Sequence, residues 1–205
     1  NGGVLLAFSA GGHHEEGIDV NRSAIHINGG YLLAIGGQQG GVEPKVRGSR
    51  TAAYLRGVDA VAGRYYTLVA GERALMTVLM PCNPTGRYVL LSASGLLREQ
   101  ACRLEESLLA PLSAQRVQEQ CFWTGTQPAT ATGSYAWTQA GRYVKADVAC
   151  TPTGAGGLAG QGFLPRAASY YTLDGGRLQA PPCHGAYIRS VTDSEGNIHN
   201  KKIAQ

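Results

Sequence analysis

Asn1-Gly2-Gly3-Val4-Leu5-Leu6-Ala7-Phe8 returns 27 residues later as Asn28-Gly29-Gly30-Tyr31-Leu32-Leu33-Ala34-Ile35. The copies differ only at Val4/Tyr31 and Phe8/Ile35, and both exchanges keep a bulky apolar side chain. Repeats with a period of about 20–50 residues mark solenoids and related arrays. Between the copies, Ser23-Ala24-Ile25-His26-Ile27 alternates like a strand, with Ile25 and Ile27 on one face. One period therefore reads turn, strand, polar loop, strand, turn, which is the unit of a β-helix. Asn and Gly tolerate positive φ, so the Asn-Gly-Gly corner lets the chain turn sharply at each coil. Stacked coils would place Val4 over Tyr31, Leu6 over Leu33 and Phe8 over Ile35. A coil cannot bury its inner face alone, and about three are needed for stability. Two are visible, so the chain is expected to start inside a longer solenoid or to be completed by another chain.

Composition agrees with a turn-rich β protein. Gly accounts for 29 of 205 residues, twice the average usage of about 7%. Charged residues make up 16% against about 25% in an ordinary soluble domain, beside 43% apolar residues, so electrostatic disorder is excluded. Glycine has no Gly-X-Y period, which excludes collagen. No apolar run approaches the ~18 residues of a membrane-spanning helix. The net charge of +4 comes from scattered Lys and Arg with no basic stripe, so nucleic acid is not an expected partner. Cys82, Cys102, Cys121, Cys150 and Cys183 are widely spaced with no C-x-x-C, which argues against a zinc ribbon or a thioredoxin-type site. Buried thiols acting as small hydrophobes explain them as well as a disulfide framework does.

Three runs carry a family resemblance: Gly17-Ile18-Asp19-Val20-Asn21, Ile25-His26-Ile27-Asn28-Gly29-Gly30 and Leu33-Ala34-Ile35-Gly36-Gly37. They resemble secreted bacterial carbohydrate-binding β-helix proteins, themselves similar to pectate-lyase-type right-handed solenoids. The match covers residues 1–41 and continues loosely through 64–96. It implies a secreted or cell-surface protein that binds polysaccharide, with calcium as the cofactor some members use. Near the other end, Tyr170-Tyr171-Thr172-Leu173-Asp174-Gly175-Gly176-Arg177-Leu178 precedes Pro181-Pro182, Gly185-Ala186-Tyr187-Ile188 and Lys201-Lys202-Ile203. Residues 170–205 read as a β meander, and they resemble the type IX secretion sorting domain of Bacteroidota, a small β-sandwich. Gly176, Cys183 and His184 depart from that segment's usual basic residues.

The expected fold is thus mainly β. Residues 1–60 would be right-handed β-helix coils, 61–123 a small β unit, and 124–205 a β-sandwich-like, sorting-type domain. Strands are expected over 64–70, 75–80 and 87–93. Leu97, Ala101, Leu104 and Leu108 recur at helical spacing, with Glu99 and Arg103 as an i,i+4 pair and Pro111 as a stop, which predicts a short helix over 96–109. The polar stretches 124–134 and 151–162 read as loops. Gly154-Ala155-Gly156-Gly157-Leu158-Ala159 formally fits G-x-G-x-x-A but lacks the flanking strand and helix of a dinucleotide site.

His13-His14-Glu15-Glu16 with Asp19 is the densest group of potential ligands, and it is not H-E-x-x-H. Glu16 and Asp19 are the candidate calcium ligands, since calcium takes six to eight oxygens and Asp19 falls in the family-like run. A solvated polar loop is the competing reading. Trp123, Tyr135 and Trp137 flank a polar stretch and are the candidate sugar-stacking residues, with core packing as the alternative. No G-x-S-x-G, P-loop or Cys/His constellation is present, so no catalytic residue is assigned. The expected function is non-catalytic polysaccharide binding. A structural or adhesive surface subunit within a larger assembly is the alternative, and a degenerate polysaccharide lyase the third reading.

Overall fold

The computed structural model describes residues 2–10, 17–18, 23–37, 45–111, 113–118, 121–127, 130–153, 168–171, 177–178, 186–192 and 198–204. The described residues are mainly β, with no helix among them. The strands are β1 (Val4–Phe8), β2 (Ala24–His26), β3 (Tyr31–Gly36), β4 (Lys45–Arg47), β5 (Ala52–Arg56), β6 (Tyr65–Ala70), β7 (Arg73–Leu79), β8 (Tyr88–Ser92) and β9 (Gln100–Ser107). They continue as β10 (Ser113–Gln118), β11 (Phe122–Gln127), β12 (Gly133–Gln139), β13 (Tyr143–Asp147), β14 (Cys150–Thr151), β15 (Ala168–Tyr171), β16 (Arg177–Leu178), β17 (Ala186–Thr192) and β18 (Ile198–Ala204). The chain divides into two compact units, Asn1–Gly154 and Ala155–Gln205. Strands from both sides of residues 60 and 123 share sheets within the first unit.

The repeat pairs as its pattern requires. β1 lies parallel to β3 with Val4 opposite Tyr31, Leu6 opposite Leu33 and Phe8 opposite Ile35. The strand between the copies behaves likewise, because β2 pairs parallel with β4, Ile25 opposite Val46. Gly30 carries the corner: its φ is +76°, and a Cβ there would run into the backbone of Gly3. That close approach lets the Tyr31 amide donate to the Gly3 carbonyl at 2.8 Å. The parallel pairing ends at β8, which runs antiparallel to both β3 and β5, while β13 joins β5 in parallel. The order of this first sheet is β1-β3-β8-β5-β13.

The second sheet, β10-β11-β7-β6-β9-β12-β14, is antiparallel throughout and faces the first across the main core. Leu33, Ile35, Leu55, Val89 and Leu91 meet Tyr66, Leu68, Met76, Val78, Leu104 and Phe122 there. Phe122 is fully buried and packs edge-on to Tyr31 at a centroid distance of 5.3 Å, which ties the repeat strand to the opposite sheet. The other face of the first sheet is also covered. Leu32, Ala34, Ala52, Tyr54 and Leu90 form a smaller core with Ile27, and Ile25 and Val46 of the β2–β4 ribbon pack on it. Burial on both faces explains why β3 and β5 read as continuous apolar runs rather than alternating ones.

The strands expected over 64–70, 75–80 and 87–93 are present as β6, β7 and β8. The helix expected over 96–109 is not formed: residues 100–107 are β9, paired with β6 and β12. Period two won over period 3.6 there. Cys102 and Leu104 are 3% and 1% exposed, whereas Leu97 and Leu108 of the supposed helical face are 61% and 50% exposed. Glu99 has φ +50°, outside any helix, and Arg103 pairs with Glu105 at 2.6 Å, its same-face neighbour along a strand. The loop expected over 124–134 is also corrected at both ends, since β11 continues to Gln127 and β12 begins at Gly133. Thr124 sits opposite Met76 in an established ladder, and Thr suits a pleated surface. Residues 154–162 lie outside the described residues.

In the second unit, β16-β15-β17-β18 form an antiparallel sheet with Tyr170 opposite Leu178 and Ile188 opposite Lys202. The antiparallel strands expected for residues 170–205 are present, but not as a simple meander: β17 skips β16 and pairs with β15, which leaves β16 at the sheet end. No disulfide joins Cys82, Cys102, Cys121 and Cys150. No helix among the described residues is long and apolar enough to cross a membrane, a statement that does not bear on membrane β-barrels.

Candidate functional site

One end of the first sheet opens into a groove of about 570 Å³ lined by Gly37, Arg56, Gly57, Thr85, Arg87, Tyr88 and Asp147. Register builds it. Parallel pairing of β5 with β13 sets Arg56 opposite Asp147, and their side chains meet at 2.7 Å. Antiparallel pairing of β5 with β8 brings Tyr88 opposite Arg56. The residue before Tyr88 is then held by the loop after β5: the Gly57 and Val58 amides donate to the Arg87 carbonyl at 2.9 and 3.0 Å. The Arg87 guanidinium forks onto Asp59, with Nε at 2.5 Å from Oδ1 and Nη2 at 2.7 Å from Oδ2. Gly57 makes the bend, having φ +103° and lying against the Val148 carbonyl where a Cβ would not fit.

Both ion pairs are open to water, Asp147 being 78% and Arg87 62% exposed. Such pairs stabilise a fold by only about 0–1 kcal/mol, so they are available to a ligand at little structural cost. Two cations and two anions cancel. The groove therefore offers fixed donors and acceptors without net charge, beside the ring of Tyr88. That ring is stacked on the buried Tyr54 at 5.9 Å and 19°. Thr85 contributes a hydroxyl that donates to the Ser9 carbonyl at 3.5 Å.

A buried polar cluster inside the sandwich positions one side of the groove. Tyr135 is 1% exposed; its hydroxyl donates to the Asp59 carbonyl at 3.2 Å and accepts from the Asp59 amide at 3.1 Å. Tyr66, equally buried, donates to Glu106 Oε2 at 2.9 Å and accepts from the Val61 amide at 2.9 Å. Glu106 also pairs with Arg64 and accepts from Thr132 at 3.4 Å. Two tyrosines thus hold residues 59–61 from beneath, and with them the carboxylate that receives Arg87. Burial pushes the ionisation of both phenols far above the ordinary tyrosine range. The nearby Glu106 charge adds to the shift at Tyr66, and the Cys150 and Glu106 charges add to it at Tyr135.

The structure separates the three aromatic candidates. Tyr135 and Trp137, 1% and 7% exposed, belong to the main core and present no ring face to solvent. Trp137 donates from Nε1 to Gln139 at 3.0 Å, and Gln139, itself fully buried, donates to the Ala52 and Gly141 carbonyls. This chain of bonds ties β12 to the start of β5. Trp123 is half-buried on the outer face of the second sheet, tilted against Tyr65 at 5.6 Å. Glu16 and Asp19, the candidate calcium ligands, lie outside the described residues, as do His13 and His14. Among the described residues no group of three or more His, Cys, Asp or Glu side chains is placed to hold a metal.

Arg56, Asp59, Arg87, Tyr88 and Asp147 were not among the sequence candidates. Arg56 and Asp147 are 91 residues apart and meet only through a parallel register that no local pattern announces. The one local signal is Gly86-Arg87-Tyr88, a turn residue, a planar cation and an aromatic at a strand start. No family model matches the chain, and no curated protein or solved structure matches it either.

Proposed function

We propose that this chain is a non-catalytic polysaccharide-binding protein of the bacterial cell surface, and that the groove at Arg56, Arg87 and Tyr88 is where the glycan lies. The observation that carries the reading is the placing of two Arg–Asp ion pairs, whose Arg56, Arg87 and Asp147 line the groove, beside an aromatic ring. Sugar hydroxyls need fixed donors and acceptors, and a sugar ring's apolar face suits an aromatic. Zero net charge favours a neutral glycan over a polyanion. Trp123 with Tyr65 is a secondary stacking position. Calcium assistance through Glu16 and Asp19 belongs to the same proposal.

The two parallel ladders favour a solenoid reading of residues 1–47. Each repeat copy contributes one strand to the first sheet and one to the β2–β4 ribbon, as successive coils of a right-handed β-helix would. The alternative function, a structural or adhesive surface subunit, draws on that same feature.

A panel of neutral β-glucan, xylan and polygalacturonate tests the function, each measured with and without EDTA. Binding to a neutral glycan that changes little between low and high salt is expected, because screening acts on net charge. Arg87→Ala should weaken it tenfold or more, a charge-assisted hydrogen bond being worth about 1.5–3 kcal/mol. The same change should leave the melting temperature nearly unmoved. Failure to bind any glycan sinks the proposal, and release of unsaturated product from polygalacturonate would replace it with the lyase reading. Loss of binding in EDTA would support the calcium assignment.

A further inference from the structure

We propose that the outer edge of β1 is a docking edge for one further parallel strand of the same kind, an apolar strand entered from an Asn-Gly-Gly corner. The inference rests on the coil reading of residues 1–47 and is independent of the glycan groove. β1 ends the first sheet, and among the described strands none pairs with its outer side. An end strand carries a row of backbone donors and acceptors, and proteins ordinarily protect such rows with charge, proline or shortness. The other ends of the three larger sheets follow that rule. β13 carries Lys145 and Asp147, β18 carries Lys201 and Lys202, β10 carries Arg116, and β14 and β16 are each two residues long. β1 reads Val-Leu-Leu-Ala-Phe, with no charge and no proline, and its Leu5 is 54% exposed.

Gly3 identifies the occupant. In the second copy, the equivalent Gly30 is a glycine for a visible reason: its Cβ position is filled by the backbone of Gly3. Gly3 itself has no atom of the described residues within 4 Å of its Cβ position, and its φ is outside the left-handed region. Nothing among the described residues thus requires glycine there. One more step of the same stacking would bring the next corner against Gly3, as Gly3 now stands against Gly30. The occupant is therefore a strand with this corner, added in parallel by backbone pairing. Among its described strands a second copy of the chain does not offer one, because its β3 is already paired on both sides and its β1 is the same open edge.

The probe is a fluorescently labelled peptide of residues 28–37, titrated with the full chain and followed by anisotropy, with a scrambled peptide as control. Saturable binding of the repeat peptide alone is expected, together with slowed hydrogen exchange of the β1 amides. Leu5→Lys places a charge on an already exposed position, and Gly3→Val fills the empty corner; each should weaken binding at least tenfold without unfolding the chain. Absence of saturable binding, or binding indifferent to both substitutions, overturns the proposal. So does concentration-dependent dimerisation that both substitutions abolish, which would make a second copy the occupant. The coil reading has its own test in the stability of the Gly30 corner, so the two can fail separately.

Discussion

Raising the pH from 10 to 12 is expected to remove on the order of 5 kcal/mol of stability, a large part of the 5–15 kcal/mol typical of a folded domain. Tyr66 and Tyr135 are the main cause, and Tyr143, pushed up to about 12 by burial, adds to them. The first two are held neutral in the fold far beyond the pH at which an unfolded chain releases its tyrosine protons. Above pH ~10 the unfolded state loses those protons while the folded state keeps them, so unfolding releases protons and is favoured by rising pH. Each such group contributes a slope of about −1.4 kcal/mol per pH unit, and below pH ~10 neither contributes any slope. Cys102, its thiol pushed up to about 11 by burial, steepens the same limb from a lower starting point. Denaturant unfolding at intervals between pH 8 and 12, with tyrosinate absorbance followed in parallel, measures this directly. A flat stability curve through pH 11, or two buried tyrosines ionising near pH 10 in the folded protein, would contradict it.

The same cluster couples stability to the groove. Tyr135→Phe removes the hydroxyl that both donates to and accepts from the Asp59 backbone. A loss of about 1–3 kcal/mol is expected from the orphaned carbonyl and amide. Asp59 is also the acceptor for Arg87, so glycan binding should weaken in this variant although residue 135 touches no ligand. The alkaline slope should fall by about one group's share, ~1.4 kcal/mol per pH unit. A packing role alone would move stability and leave both the binding and the slope unchanged. Trp137→Phe, which breaks the bond to Gln139 without reaching residues 59–61, is the matching control.

What the sequence disclosed follows physical range. The repeat gave the β1–β3 register residue by residue, because two near-identical apolar segments can bury their side chains together in only one alignment. Strands β6, β7 and β8 were legible from apolar runs between turn residues. The region after β8 was misread because Leu97, Ala101, Leu104 and Leu108 satisfy a helical period while Cys102, Leu104 and Glu106 satisfy a strand period. Only the partners β6 and β12 decide between them, and a carboxylate on the buried face hid the alternation. Two of the three aromatic candidates, Tyr135 and Trp137, turned out to be core residues for a related reason. Trp137 and Tyr135 looked available beside a polar stretch, but Thr124 extends an established ladder and both rings point into the core. The groove was invisible because its charges come from β5, β8 and β13 and the loop after β5. They converge through pairings that span up to 91 residues.

Gly30→Val is expected to detach β1 from the first sheet. A side chain at φ +76° costs about 1–2 kcal/mol, and valine, being β-branched, suffers more than alanine. The larger cost is spatial. The added Cβ would lie against the Gly3 backbone, and backbone held in a ladder cannot rotate away as a flexible side chain can. Relief requires β1 and β3 to separate at the corner, which breaks the bond from the Tyr31 amide to the Gly3 carbonyl. Together these terms reach about 3–5 kcal/mol, within the range reserved for strained backbone and broken buried networks. The damage should be local first. Val4, Leu6 and Phe8 pack at the margin of the main core, whereas Leu33 and Ile35 are held by β8 as well. Hydrogen exchange should therefore accelerate at the β1 amides before it does so at β3, β5 or β8. Gly3→Ala, made at the matching position of the first copy, meets no neighbour and no forbidden φ, and should change stability by less than about 0.5 kcal/mol. The contrast between the two glycines is the measurement. If Gly30→Val leaves β1 as protected as Gly3→Ala does, the corner does not set the stacking, and the coil reading of the repeat falls with it.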